Sequence, residues 1–139
     1  MKSDLLLEVL SHHGQIVKED EVELVDVPTM LGHTTILSNH TAYYGAVQIG
    51  VLRYKKNGIN KKVAIGTHGI VEVFKNHVTV IVHTAERAEN IDVARAKRDK
   101  EEVLELISKG IAKTPGGFDV HLALKLANYR IALGEEIES

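Results

Sequence analysis

Between Val82 and Asp92 the apolar residues of this chain change their period, from about 2 residues to about 3.6. A period of two places alternate side chains on one face of a strand, and a period of 3.6 lines one face of a helix. Neither pattern can be satisfied by the other element, so the chain is expected to build a β unit first and a helical unit second. The change falls inside Thr84–Ala96, TAERAENIDVARA.

Before it, short β-favouring runs alternate with turn signals. Leu5–Leu10 stops at His13-Gly14, and the alternating run Val22–Val27 stops at Pro28. Lys56-Asn57-Gly58 predicts a tight hairpin, because Asn-Gly accepts the positive φ angles that such a turn requires. That hairpin pairs Val51–Tyr54 with Lys61–Ile65. A second predicted hairpin runs from Ile70–Phe74 through a turn at Lys75-Asn76-His77 into Val78–Val82. Short strands at this spacing point to a sandwich or a flattened barrel.

After Asp92 the apolar residues Val93, Ala96, Val103 and Ile107 share one side of a helix, with Leu104 beside them. Lys97, Arg98, Glu101, Glu102 and Glu105 are left for water. Lys113-Thr114-Pro115-Gly116-Gly117 breaks the chain, since proline lacks a donor and glycine has no preference to continue. A second helix is predicted over about Asp119–Leu133, with Val120, Ala123, Leu124, Ala127 and Ile131 as its apolar stripe. Two helices joined by a short turn form an antiparallel hairpin.

The 44% hydrophobic and 26% charged composition is that of a folded domain, and 2 Phe with no Trp leave the core to Val, Ile, Leu and Ala. With no Cys there is no disulfide, which fits a reducing compartment. Three Leu before Glu8 are too short an apolar run for a signal peptide, and no stretch approaches the ~20 residues of a membrane span. A cytosolic protein, or one held at a membrane through a partner, is expected. A net charge of −2 argues against nucleic acid as a partner.

Charge is segregated along the chain. Asp4, Glu8, Glu19, Asp20, Glu21, Glu23 and Asp26 crowd the first strands, whereas Arg53, Lys55, Lys56, Lys61, Lys62 and Lys75 crowd the middle. Either acidic and basic strands lie side by side in one sheet, or the basic segment is a docking face.

Chemistry-bearing constellations are sparse. There is no phosphate loop, no G-x-G-x-x-G turn and no G-x-S-x-G elbow. The 8 His are scattered without H-E-x-x-H, and His12-His13, read as strand neighbours, would point to opposite faces. Metal binding and catalysis are not expected.

Segments in order over most of the chain resemble the epsilon subunit of F-type ATP synthases. Gly32–His40 is similar to a Gly-rich family segment through Gly32, Ile36, Leu37 and His40, although His33 stands where an acid is usual and Ser38-Asn39 where Pro-Gly is usual. Thr67-His68-Gly69-Ile70-Val71-Glu72-Val73 resembles a family hairpin, and Ile91-Asp92-x-x-Arg95-Ala96 lies in the closest stretch. The resemblance implies an α+β fold: a β-sandwich of about ten strands (1–88) and a C-terminal antiparallel two-helix hairpin (89–139). It also implies a non-catalytic central-stalk subunit of a proton- or sodium-driven synthase, peripheral on the cytoplasmic face of the bacterial inner membrane.

In such a subunit the sandwich contacts the gamma subunit and the c-ring, with Met30, Leu31, Gly32 and His33 facing the ring and His40 near gamma. The hairpin switches between a folded state and an extended one that meets the catalytic beta subunit and blocks hydrolysis. In some members ATP, as a regulatory ligand, favours the folded state. No cofactor is required. The ATP-binding pattern is matched here by Glu86, Ile91, Asp92, Arg95, Ala96 and Arg130. It is broken at Leu126, for which Lys125 would substitute after a one-residue slip, and at Glu102, where cations are usual. Each missing charge-assisted contact costs about 1.5–3 kcal/mol of binding. Asp92 is also a natural helix N-cap, and Arg95 a candidate surface partner of Glu86 or Asp99. A nucleotide site and capping alone therefore both stay open, as does a stand-alone ATP-binding sensor with no motor. Members that inhibit strongly carry a basic second helix; with Lys125 and Arg130 against Asp119, Glu135, Glu136 and Glu138, the resemblance implies weaker or differently arranged inhibition here.

Overall fold

The computed structural model describes residues 4–138, which divide between Arg87 and Ala88 into two compact units. The first holds ten strands: β1 Leu5–Ser11, β2 Gly14–Val22, β3 Leu24–Thr29, β4 Gly32–Leu37, β5 Tyr43–Val47, β6 Gly50–Lys56, β7 Ile59–Ile65, β8 Gly69–Phe74, β9 His77–Val82 and β10 Ala85–Arg87. They form one sheet in the order β10-β7-β6-β3-β5-β8-β9-β1-β2, with β4 paired off β3. All pairs are antiparallel except β1 with β9.

Alternation decides which face is inside. Leu5, Leu7 and Val9 of β1, Val71 and Val73 of β8, and Val78, Val80 and Val82 of β9 are buried, while Glu72, Phe74 and Ile81 between them are exposed. The sheet curls until its inner faces share one aliphatic core, with Leu52 and Tyr54 of β6 among its largest fully buried side chains. Its terminal strands approach each other: Arg87 of β10 donates from Nε to the Ile16 carbonyl of β2 at 2.9 Å. This is the ten-stranded sandwich expected, closed nearly into a barrel.

The Asn-Gly hairpin forms as predicted, with Asn57 at φ 53° and Gly58 at 74° and Lys56 opposite Ile59. In the second hairpin the turn is only Lys75-Asn76, at φ 48° and 62°, and His77 already belongs to β9. The run Val22–Val27 is not one strand. It breaks at Glu23, and β3 continues through Pro28 to Thr29. Proline's φ lies within the β region, so it removes one donor without ending the strand, and its carbonyl still accepts from Gln48 at 3.0 Å.

Acidic and basic strands do lie together. Asp26 of β3 pairs in register with Arg53 of β6, their charged ends 4.0 Å apart, and Lys56 reaches Asp20 at 3.2 Å and Glu19 at 3.6 Å on β2. The hydrogen bond to Asp20, helped by the charge of Glu19, holds the Lys56 ammonium above its ordinary pKa.

The second unit begins with a turn of 3-10 helix at Ala88–Asn90, followed by α1 Val93–Ser108 and α2 Val120–Glu138. Asp92 caps α1 by accepting the Arg95 N–H at 3.0 Å. Its far end closes through Gly110 N–H to the Ile107 carbonyl and Ile111 N–H to the Leu106 carbonyl, both 3.0 Å, the Schellman pattern. The connection is longer than the predicted Pro-Gly turn, because Ile111 and Ala112 precede a small bridge of Lys113 with Asp119 around that turn. Asp119 then caps α2 through the His121 and Leu122 N–H groups, at 2.8 and 3.2 Å. The helices are antiparallel: Lys97 meets Glu135 and Asp99 meets Arg130, each at 3.1 Å. The helix predicted to stop at Leu133 runs on through Gly134 to Glu138. Gly134 is buried, and a Cβ there would strike Val93 Cγ2 and lie 3.2 Å from Ile91 Cγ2. The glycine marks a close approach rather than a stop.

Candidate functional site

Two groups of residues carry the candidate chemistry, one in each unit. In the strand unit Met30-Leu31 forms the tip between β3 and β4, with Met30 62% and Leu31 97% exposed. The buried Thr29 hydroxyl pins this tip, donating to the Gly32 carbonyl at 2.5 Å and accepting the Leu31 N–H at 3.3 Å. Sequence reasoning passed over Thr29; a hydroxyl two residues before a turn apex was its signal. His33, one step into β4, donates from Nδ1 to Asp26 at 3.1 Å. His40 follows the far end of β4, about 20 Å of strand away. Its Nδ1 donates to the Thr41 carbonyl at 2.7 Å, and its ring stands edge-on to Tyr43 at 6.1 Å. Met30, Leu31, Gly32 and His33 thus form one surface and His40 another.

In the helical unit the members of the Ile91–Ala96 string have divided tasks. Ala96 is fully buried and Ile91 half-buried, so both serve packing. Asp92 and Arg95 are exposed. The Asp92 carboxylate caps the helix, while the Arg95 guanidinium has no ion-pair partner among the described residues. The expected pairing of Arg95 with Asp99 is not found, because the register of the two helices brings Arg130 to Asp99 instead. Asp92, Arg95 and Asp99 follow one another at helical spacing, so the Arg130–Asp99 contact lies one turn beyond Arg95 on that face. Lys125 is exposed, with its ammonium 6.0 Å from the Tyr129 ring centre, and Leu126 is half-buried. Glu102 is exposed. Glu86 belongs to the strand unit, opposite Ala64 on β7. Arg95 is thus an exposed cation on this face, whereas the Arg130 guanidinium is engaged by the Asp99 carboxylate.

The cap separates the two roles of Asp92. Serine caps a helix almost as well as aspartate but carries no charge. Asp92→Ser should leave the hairpin within a few tenths of a kcal/mol of the parent, as read by thermal melting of the helical signal. Asp92→Ala should cost about 1 kcal/mol. An equal loss in both variants would mean that the carboxylate does more than cap.

His12 and His13 are not strand neighbours on opposite faces. They form the turn between β1 and β2, with ring centres 3.8 Å apart, and His12 stacks on His83 at 4.5 Å. A turn frees adjacent side chains from the alternation of a strand. His12 donates from Nδ1 to the His83 carbonyl at 2.6 Å. Among the described residues no group of three or more His, Cys, Asp or Glu is arranged to hold a metal ion.

A family model described as ATP synthase, Delta/Epsilon chain, beta-sandwich domain matches residues 4–88. The ATP synthase epsilon chain of Symbiobacterium thermophilum is 40% identical over 98 residues, 70% of each chain. That of Desulfitobacterium hafniense is 41% identical over 101 residues, 73% of this chain and 75% of the relative. The chain belongs to the ATP synthase epsilon chain family. Epsilon chains are non-catalytic subunits of the central stalk of F-type ATP synthases, and the two-unit fold is theirs. A chain in the structure of the Euglena gracilis mitochondrial ATP synthase shares the fold at a TM-score of 0.65 and 18% identity, covering 99% of this epsilon chain and 81% of that chain. One in the Tetrahymena thermophila mitochondrial ATP synthase central stalk and c-ring does so at 0.56 and 16%, covering 99% and 98%.

Proposed function

We propose that this epsilon chain couples the catalytic core of a bacterial F-type synthase to its membrane ring, and that its C-terminal hairpin regulates ATP hydrolysis. Residues 1–88 serve as the contact domain and 89–139 as the regulatory domain. The observation that carries the reading is the uncovered apolar tip at Met30-Leu31, held rigid by Thr29, in a family whose members work within a rotary complex. The tip and His33 meet the c-ring, and the surface around His40 meets gamma. The protein is peripheral, on the cytoplasmic face of the inner membrane; no helix among the described residues is long and apolar enough to cross a bilayer. ATP is the regulatory ligand of the hairpin, held through Asp92, Arg95 and Arg130, with Ile91 and Ala96 shaping the helix start. A ligand that binds only one hairpin state raises the population of that state.

Titration of the chain into a purified alpha-beta-gamma complex lacking epsilon, with ATP hydrolysis followed, tests the reading. Saturable one-to-one binding is expected. No binding at micromolar concentration would overturn the motor role and favour a stand-alone ATP sensor. Inhibition should be weaker than that by an epsilon chain with a basic second helix. Here Arg130 is already engaged by Asp99, leaving Lys125 against the acids of α2 when the extended hairpin meets an acidic loop of the beta subunit. Strong, salt-sensitive inhibition that disappears when α2 is removed would refute this.

A further inference from the structure

Asp99 is partly exposed and lies outside the helical core. It stands four positions after Arg95 and seven after Asp92 on α1, so the three share a face. Its carboxylate takes Arg130 Nη1 from α2 at 3.1 Å, where the arginine side chain is 15% exposed and the aspartate 44%. The second interhelix pair, Lys97 with Glu135, is about half exposed on both sides and holds the helices more weakly. Arg130 is also the α2 cation that the nucleotide reading assigns to phosphate.

We propose that Asp99 is an internal anionic ligand of the hairpin: its carboxylate occupies the arginine that the phosphates of a nucleoside triphosphate would otherwise take. The hairpin is then closed without nucleotide, and nucleotide binds only in competition with Asp99. The inference rests on the nucleotide reading above. Carboxylate and phosphate compete for the same guanidinium donors. A tethered carboxylate competes at an effective concentration in the millimolar range. Glu102, one turn further along α1, adds a second negative charge where phosphate would approach. Asp99 and Glu102 together exchange a ligand-dependent closure for a built-in one.

The diagnostic is a pair of effects with opposite sign. Removing the Asp99 charge loosens the hairpin when no nucleotide is present and tightens nucleotide binding, whereas losing an ordinary ion pair does only the first. The experiment compares the full chain with its Asp99→Asn variant. MgATP binding is measured by calorimetry, with adenosine as the phosphate-free control, and amide hydrogen exchange of α2 is followed with and without MgATP. Asp99→Asn should lower α2 protection without nucleotide, bind MgATP at least about tenfold tighter, regain protection when MgATP is added and leave adenosine binding unchanged. Asp99→Ala, which favours the helix, repeats the comparison should asparagine disturb α1 itself. If the parent binds MgATP and neither variant binds it tighter, the internal ligand is overturned while the nucleotide site stands. If neither parent nor variants bind at millimolar MgATP, the nucleotide reading fails and takes the internal ligand with it.

Discussion

Replacing Gly69 by valine is expected to destabilise the strand unit by more than about 3 kcal/mol, the upper range of overpacking. Gly69 opens β8, paired with Val82 on one side and Val47 on the other. A Cβ built there strikes the Ile81 carbonyl oxygen and lies 2.8 Å from Val82 Cα and 2.7 Å from Val82 Cγ1. Two of these atoms are backbone in the β9 ladder, so the clash cannot be relieved by a rotamer change. Gly45→Val is the control, since its clash is with the Tyr43 side chain, which can swing. With no Trp in the chain, urea unfolding is best followed by far-UV circular dichroism. A Gly69→Val midpoint equal to that of Gly45→Val would contradict the argument.

Gly69 shows how far a motif can be read without its geometry. Thr67-His68-Gly69 was visible as a family pattern, but the need for glycine lies in a cross-strand approach that no local signal reports. Strands with strict alternation, such as β1, β8 and β9, and the Asn57-Gly58 turn were legible because local chemistry and burial agree there. β2 was not. Of its residues only Val17 and Val22 are buried, and two register shifts against β1, one beside Glu21 at φ 52°, scramble its alternation. β10, three residues long, is defined by its pairing with β7 and by nothing in its composition.

The helical unit divides in the same way. Asp92 as a cap was legible, since capping is decided within one turn. Arg130 meeting Asp99 was not, because it depends on the register of two helices rather than on spacing within one. That register also leaves Arg95 without an ion-pair partner among the described residues.

Gly134→Leu is expected to separate the helices at the end where α1 begins. The added side chain must displace Val93 and Ile91, on either side of the Asp92 cap. Overpacking of this kind costs about 1–3 kcal/mol, against partly exposed ion pairs that contribute about 1 kcal/mol or less each. Leucine favours a helix over glycine by roughly 0.8–1 kcal/mol, so α2 itself should stay helical. The predicted signature is thus an unchanged helical circular dichroism signal with faster hydrogen exchange, by about tenfold or more, at the start of α1 and along the last turns of α2. Gly134→Ala, with a smaller clash and most of the helix gain, should fall between the parent and leucine. Unchanged exchange in Gly134→Leu would show that the helices do not depend on this contact. The expected loss would mean that steric fit between Gly134 and Val93 closes the hairpin at one end. The Asp99–Arg130 pair joins the helices further along.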